Sequence, residues 1–271
     1  MARLGKAAVC ALIAVLLSAC SDLIQTRGKT MTATTVSKTQ LDTFAQTRTF
    51  FGHQSVGGNI LSGVPMLYED ANLAPPEVVE TRQAPAGHGF LAHTFVGTNG
   101  DPVGKINDFT AVLDGGMADA VDVAVLKLCY VDITQATDVD AIFAAYSSAM
   151  DRLAKTHPNL RIVYTTVPLT TEPSLKRRIK SLLTRRPPAD PADNVARERY
   201  NTLVRERYGA SGRLFDIARV ESTTASAERT TGEYEGSTYY ALDRDLAADP
   251  GHLNETGSER AAEEFVRVVS G

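Results

Sequence analysis

The segment 121–131 constrains the fold most, because it is almost continuously apolar and rich in β-branched residues. Strands covered by helices on both faces have this composition, whereas half-exposed strands alternate between apolar and polar residues. Shorter segments at 49–52, 77–81, 160–168 and 213–217 are also predicted as strands. Helical spacing of apolar residues lies between them and at the end of the chain, over 139–153, 196–204 and 262–269. This alternation predicts an α/β fold, a three-layer α/β/α sandwich with a mostly parallel central sheet.

Three polar or glycine positions predict where helices begin and end. Asp193 is predicted as the N-cap of the helix around 196–204, and Gly209 as the residue that stops it. The last helix is predicted to open with the capping box Thr256-x-x-Glu259.

The first 19 residues read as a signal peptide rather than as part of the folded domain. Arg3 and Lys6 precede an apolar run over 7–17, which is short for a membrane span. The run ends in Leu17-Ser-Ala-Cys20, which resembles the lipobox of bacterial lipoproteins, where the cysteine is acylated. The resemblance implies a mature protein attached by lipid at Cys20, with Ser21 favouring the outer membrane. An ordinary secretory signal or an uncleaved anchor is the alternative. Residues 20–37 are then a flexible tether, and 38–271 a single domain.

Charge and cysteine content exclude several classes of protein. The formal net charge is −4, and loss of Arg3 and Lys6 makes it more negative, so no broad basic face for nucleic acid is expected. Without Cys10 and with Cys20 acylated, Cys129 has no partner for an intramolecular disulfide or a zinc finger.

The run Asp249-Pro-Gly-His252 carries a carboxylate three residues before a histidine. A histidine general base with its second ring nitrogen held by a carboxylate is the pair that activates a hydroxyl nucleophile. Asp249 could instead be a simple turn residue, with His252 a partly buried ring.

Ser55 is the hydroxyl that this pair could serve. It follows the first predicted strand and precedes a helical stretch, within the glycine-rich run Gly52-His-Gln-Ser55-Val-Gly-Gly58. Ligands of parallel sheets gather beyond the carboxyl ends of the strands, and a helix N-terminus there favours developing negative charge.

Together these motifs resemble the SGNH (GDSL-like) hydrolase superfamily, over about 48–269. Members place a serine after the first strand, a glycine after the second, Gly-x-Asn-Asp after the third and Asp-x-x-His near the C-terminus. The corresponding blocks here begin with Ser55, continue with Gly97-Thr-Asn99-Gly100-Asp101 and Cys129-Tyr-Val131-Asp132, and end with Asp249-x-x-His252. The resemblance implies a flavodoxin-like α/β/α fold and a Ser55–His252–Asp249 triad.

The third block departs from the family pattern, because Val131 stands where the family has an oxyanion-binding asparagine. Loss of one such donor costs about 100- to 1000-fold in rate. The resemblance implies that the backbone N–H groups of Ser55 and Gly100 face the oxyanion. The side-chain amides of Asn99 and Gln54 are candidates to replace the missing donor. Asp132 is expected to orient a loop.

The function so predicted is a serine esterase that needs no metal or organic cofactor. The expected substrate is an O-acetylated glycan, another small ester or a lipid, and a small acyl group on a polar backbone is favoured over long-chain lipids because the sequence has no large apolar lid segment. The alternative is a non-catalytic envelope lipoprotein that uses the fold to bind glycans or as a scaffold. The oligomeric state stays open.

The remaining histidines and a basic segment favour ordinary structural roles. His53, His88 and His93 lack the spacing of a metal pair, so no metal site is predicted. A run of six cations is typical of a solvated helix and loop, or of a patch for anionic headgroups or acidic polysaccharide. Its members are Lys176, Arg177, Arg178, Lys180, Arg185 and Arg186.

Overall fold

A six-stranded parallel sheet forms the centre of the protein. The computed structural model describes residues 36–173 and 189–271. The sheet has the strand order β2-β3-β1-β4-β5-β6, so the first strand lies in the middle and the chain crosses over on both sides. The strands are β1 (Arg48–His53), β2 (Glu77–Glu80), β3 (Phe90–Phe95), β4 (Val123–Leu126), β5 (Arg161–Thr165) and β6 (Leu214–Phe215).

Helices cover both faces of this sheet. They are α1 (Lys38–Gln46), α2 (Val56–Ala71), α3 (Pro102–Val112), α4 (Ala118–Ala120), α5 (Val139–Thr156), α6 (Ala189–Tyr208), α7 (Ile217–Ser222) and α8 (Glu255–Val269). A π-helical turn (Leu113–Met117) joins α3 to α4, and a 3-10 turn (Tyr130–Asp132) follows β4. An antiparallel hairpin of β7 (Thr231–Tyr234) and β8 (Ser237–Tyr240) stands apart from the main sheet. The predicted three-layer α/β/α fold is confirmed.

The core is divided by the sheet into two apolar layers. Phe50 and Phe51 are consecutive on β1 and fully buried, yet Phe51 packs in the layer with α2 and α8 while Phe50 packs with α3 and α5. Successive side chains of a strand point to opposite faces, so β1 must be apolar at every position to fill both layers. In the first layer α2 and α8 lie very close at Gly63. A Cβ on this residue would come within 2.2 Å of the Ser258 carbonyl oxygen, so the approach requires glycine.

Four predicted strands are shorter in the structure, and other strands were missed. The segments 77–81 and 213–217 are reduced to Glu77–Glu80 and Leu214–Phe215. Of 121–131 only Val123–Leu126 is strand, because the chain leaves the sheet after Leu126 and turns towards the 3-10 turn. The segment 160–168 is strand only at Arg161–Thr165. Strand β3 and the β7–β8 hairpin were not predicted, since His93 and Thr94 interrupt the apolar run of β3 and the hairpin is largely polar.

Two predicted helix starts are wrong, and one predicted stop is right. Asp193 lies inside α6, where its side chain accepts from the backbone N–H of Gln135 rather than capping the helix. The last helix is capped by Asn254, whose side chain accepts from Gly257 N, so the Thr256-x-x-Glu259 box is not the cap. Gly209 does end α6, which passes into a short 3-10 turn.

Some predictions fall outside the described residues. These are the signal peptide, Cys20 with its tether up to residue 35, and the basic segment 176–186. Within the described part of the chain, no helix is both long and apolar enough to cross a membrane. Cys129 is buried and free.

Candidate active site

Ser55 stands at the junction of β1 and α2, at the carboxyl edge of the sheet. Its backbone has φ 43° and ψ −105°, close to the first central position of a type II′ turn, which strongly favours glycine. A serine held there stores about 1–3 kcal/mol of backbone strain. The result is a sharp strand-to-helix turn that presents the half-buried Ser55 side chain ahead of the N-terminus of α2.

Glycine is required at one position of the first turn of α2. A Cβ on Gly57 would lie 2.3 Å from the ring of His53, which is buried directly beneath it. A Cβ on Gly58 would meet no atom within 4 Å. The His53 ring therefore supports the turn that carries Ser55, and only Gly57 lets the two approach.

A hydrogen-bond chain runs from Ser55 to Asp249 through His252. Ser55 Oγ lies 2.5 Å from His252 Nε2, and His252 Nδ1 lies 2.8 Å from Asp249 Oδ2. An ionised carboxylate can only accept, so Asp249 fixes the proton on Nδ1 and leaves Nε2 as the acceptor for the serine proton. The structure thus brings together the three side chains of the predicted triad, from opposite ends of the sequence.

The Asp249 carboxylate is organised by its own turn. Asp249 Oδ1 accepts from the backbone N–H groups of Gly251 (2.8 Å) and His252 (2.9 Å). The Gly251 bond, followed by the bond to the His252 side chain, lowers the pKa of Asp249 below its usual value. The carboxylate therefore stays ionised and ready to orient the imidazole.

Three neighbours fix the position of this turn. Asn59, one turn along α2 from Ser55, donates to the Leu253 carbonyl (3.2 Å) and accepts from its N–H (3.4 Å). Thr171, in the segment after β5, donates its backbone N–H to the Pro250 carbonyl (2.9 Å). The ring of Tyr130 stands edge-on to His252 and packs closely on Gly251, where a Cβ would come within 2.5 Å of the ring.

Both His252 and Asp249 are open to solvent. The side chains are 37% exposed for His252 and 52% for Asp249. An ester at the surface of a large molecule could therefore reach the Ser55 hydroxyl. Chemically, the arrangement can remove the proton of Ser55 Oγ as that oxygen attacks an electrophilic carbon.

Two of the predicted oxyanion donors are engaged in other hydrogen bonds. The backbone N–H of Gly100 donates to Asp132 Oδ1 (2.8 Å), so the expectation that this N–H faces the oxyanion is corrected. The Gln54 amide nitrogen is engaged by the carbonyls of Val96 (3.2 Å) and Gly97 (3.1 Å), which removes it as a replacement donor. Asn99 is exposed in the same loop, with its amide oxygen bound at 2.7 Å by Lys105 Nζ.

A buried ion pair between Lys105 and Asp132 lies beside the site, and the sequence did not predict it. Lys105 Nζ lies 2.7 Å from Asp132 Oδ2, and both side chains are fully buried. Asp132 also accepts from the backbone N–H of Cys129 at 2.6 Å. The prediction that Asp132 orients a loop is confirmed. Lys105 carried no signal, because lysine in a helix normally faces solvent.

His53 and His93 are neighbours, although their spacing did not suggest it. His53 Nε2 lies 3.1 Å from His93 Nδ1, because the two residues stand on adjacent strands. Burial, with a smaller contribution from the charge of Lys127, lowers the pKa of His53 to about 3, so its ring is neutral. In residues 36–173 and 189–271, no group of three or more His, Cys, Asp or Glu side chains could hold a metal ion.

A buried carboxyl group lies on α7. Glu221 on α7 is buried and accepts from the backbone N–H of Leu169 at 2.7 Å. Burial raises its pKa to about 8, against the smaller opposing effects of that bond and of the charges of Lys127 and Arg197. Glu221 is therefore neutral at pH 7. Through its hydrogen bond with Leu169 it holds the segment after β5 in place.

Similar solved structures are hydrolases and an acyltransferase domain. A lipase/acylhydrolase from Enterococcus faecalis is 12% identical, with a TM-score of 0.48, over 83% of this chain and 96% of that chain. A protein assigned to the G-D-S-L lipolytic family, from Desulfitobacterium hafniense DCB-2, is 8% identical, with a TM-score of 0.43, over 82% and 99%. The periplasmic domain of a lipopolysaccharide acetyltransferase from Salmonella ser. Paratyphi A is 13% identical, with a TM-score of 0.44, over 82% and 83%. No family model and no curated protein matches the sequence.

Proposed function

We propose that this chain is a serine esterase of the SGNH type, which hydrolyses an ester through a covalent acyl-enzyme on Ser55. The observation that carries the proposal is the hydrogen-bond chain from Ser55 Oγ through both ring nitrogens of His252 to the Asp249 carboxylate. A structural histidine in a turn has no need of a serine at Nε2 and a carboxylate at Nδ1 together.

The proposed reaction begins when Ser55 Oγ attacks the ester carbonyl and His252 Nε2 takes its proton. The imidazolium so formed is stabilised by Asp249 and returns the proton to the leaving alcohol. Water, activated by the same nitrogen, then cleaves the acyl-serine and regenerates the enzyme. The backbone N–H groups of Gly57 and Gly58 donate to the carbonyls of Gln54 (2.9 Å) and Ser55 (2.7 Å). The backbone N–H of Ser55 and the positive end of the α2 dipole are therefore what is suited to stabilise the negative charge on the carbonyl oxygen.

The proposed substrate is a small acyl group on a polar backbone, such as an O-acetyl group of a glycan. The exposure of Asp249 and His252 supports this choice, because an ester on a polymer can reach Ser55 without entering an enclosed cavity. A small acyl group is favoured over a long-chain lipid ester, because the lipid ester needs a large apolar surface to bind its acyl chain.

Labelling with a fluorophosphonate, which phosphonylates activated serines, tests the proposal. The native protein is expected to be labelled and to release p-nitrophenol from p-nitrophenyl acetate, whereas Ser55→Ala and His252→Ala do neither. The matched controls are Ser62→Ala, on the same helix, and His88→Ala, both at exposed positions, and they should behave as the native protein does. Absence of labelling and turnover in folded native protein would favour the glycan-binding or scaffolding lipoprotein instead.

We further propose that the protein is held in the bacterial cell envelope by acylation of Cys20, on the outer membrane facing the periplasm. The lipobox-like Leu-Ser-Ala-Cys20 after an apolar run supports this location. Cells grown with an alkyne-tagged fatty acid should incorporate the tag into the native chain and not into Cys20→Ser. Equal incorporation into a Cys10→Ser variant is the control. Loss of the tag in Cys10→Ser alone would contradict the assignment.

A further inference from the structure

The Lys105–Asp132 ion pair joins two loops on either side of Ser55. Lys105 lies on α3 and Asp132 on the 3-10 turn after β4, and the pair is withdrawn completely from water. Burying two charges is costly, and apolar side chains of the same size often stabilise a protein equally well. Stability alone therefore gives little reason for a charged pair at this position.

The bonds of the pair reach the backbone of both loops. Asp132 accepts from Gly100 N in the loop after β3 and from Cys129 N in the segment after β4. Strand β1 lies between β3 and β4, so these two segments flank the turn that carries Ser55. The ion pair is a clamp across the carboxyl edge of the sheet at the site itself.

Lys105 also determines which way the Asn99 amide faces. An ammonium group can only donate, so the Asn99 atom 2.7 Å from Lys105 Nζ must be the carbonyl oxygen. The amide nitrogen on the same carbon is then directed away from the buried ammonium, and Asn99 itself is exposed. No bond found within 36–173 and 189–271 occupies this nitrogen, whereas Gly100 N and the Gln54 amide nitrogen are both engaged.

We propose that Lys105 is a positioning residue of the esterase. Neutralised by Asp132, it holds Asn99 Oδ1 so that Asn99 Nδ2 serves as the oxyanion donor that Val131 cannot supply. This inference rests on the proposed function. Lys105 touches no reacting atom and acts only through Asn99.

The test measures kcat and KM for p-nitrophenyl acetate with the full chain in detergent. Asn99→Ala should lower kcat by about 100- to 1000-fold with little change in KM, as loss of one oxyanion donor does. Because Lys105→Met alone leaves a buried, unpaired carboxylate and could unfold the protein, the pair is neutralised together as Lys105→Met/Asp132→Asn. This double variant should lower kcat at least tenfold with KM unchanged.

The decisive measurement combines the changes. If Lys105 acts through Asn99, then Lys105→Met/Asp132→Asn should cost less than threefold in an Asn99→Ala background. The exposed Lys155→Met is the control for loss of a lysine and should keep native kinetics. The same loss from the double variant in both backgrounds would overturn the positioning role.

Failure of the inference is distinguishable from failure of the proposed function. If Ser55→Ala is inactive while Asn99→Ala retains native kcat, the esterase stands and the positioning role is refuted. If Ser55→Ala turns over the ester as fast as the native protein, the proposed function fails, and the role of Lys105 fails with it.

Discussion

Replacing Ser55 by glycine should stabilise the protein relative to replacing it by alanine. The reason is the backbone of Ser55, with φ 43° and ψ −105°, where glycine has no steric penalty and alanine keeps the strain of serine. Both variants lose the bond to His252 equally. Neither loses a helix cap, because the Ser55 side chain makes no capping hydrogen bond to α2.

The magnitude follows from two opposing effects. Release of the strain is worth about 1–3 kcal/mol. The greater freedom of glycine in the unfolded chain offsets about 0.4–1 kcal/mol of this. The free energy of unfolding of Ser55→Gly should therefore exceed that of Ser55→Ala by about 0.5–2 kcal/mol. For a domain of this size the melting temperature rises by roughly 2–4 °C per kcal/mol.

Urea unfolding followed by far-ultraviolet circular dichroism measures the difference as a shift in midpoint at constant slope. Ser148, exposed on α5, is the matched control, because in a helix interior alanine is more stable than glycine by about 1 kcal/mol. The order of the glycine and alanine variants should thus be opposite at the two positions. A Ser55→Gly variant no more stable than Ser55→Ala would refute the claim that this turn is strained.

Four further predictions concern the turn that carries Ser55, the buried Glu221 and the turn that carries Asp249. Gly57→Ala should destabilise the protein by about 1–3 kcal/mol and lower turnover, because its Cβ overlaps the buried His53 ring. Gly58→Ala, which meets open space, should gain up to about 1 kcal/mol in the same urea assay. Unfolding free energy should fall as the pH rises from about 4.3, where glutamate ionises in the unfolded chain, towards about 8, where folded Glu221 does. Glu221→Gln should remove this part of the pH dependence, and equal slopes for the two proteins between pH 5 and 8 would contradict the assignment. Asp249→Asn should lower kcat on the order of 100- to 10⁴-fold by releasing the tautomer of the imidazole, with the urea midpoint little changed. An Asp249→Asn variant with native kcat would remove the carboxylate from the mechanism.

The parts of the fold that the sequence predicts are those with local causes. Val123–Leu126 is recognisable as a buried strand because every residue in it is apolar. Asp249 and His252 are three residues apart in one turn, so their pairing needs no knowledge of the rest of the chain. Ser55 could be assigned to them because the carboxyl ends of parallel strands share one edge of the sheet.

The rest depends on partners distant in the sequence. Nothing near Lys105 indicates that its ammonium is buried, because the carboxylate that makes burial tolerable lies 27 residues away. The same carboxylate takes the Gly100 N–H, which a motif-based prediction assigns to the oxyanion. Strand β3 was missed because His93 breaks its apolar pattern, and the ring of His53 on the neighbouring strand explains why a histidine is accommodated there.

The two hydrogen bonds between Asn59 and Leu253 have a consequence for the motions of the protein. Asn59 belongs to the helix that starts at Ser55, while Leu253 directly follows His252, and Gly63 locks that helix against α8. Opening α2 must release the histidine turn as well, so both halves of the site belong to one cooperative unit. Their amide protons should therefore exchange with solvent with the same free energy of opening, although nearly two hundred residues of sequence separate them.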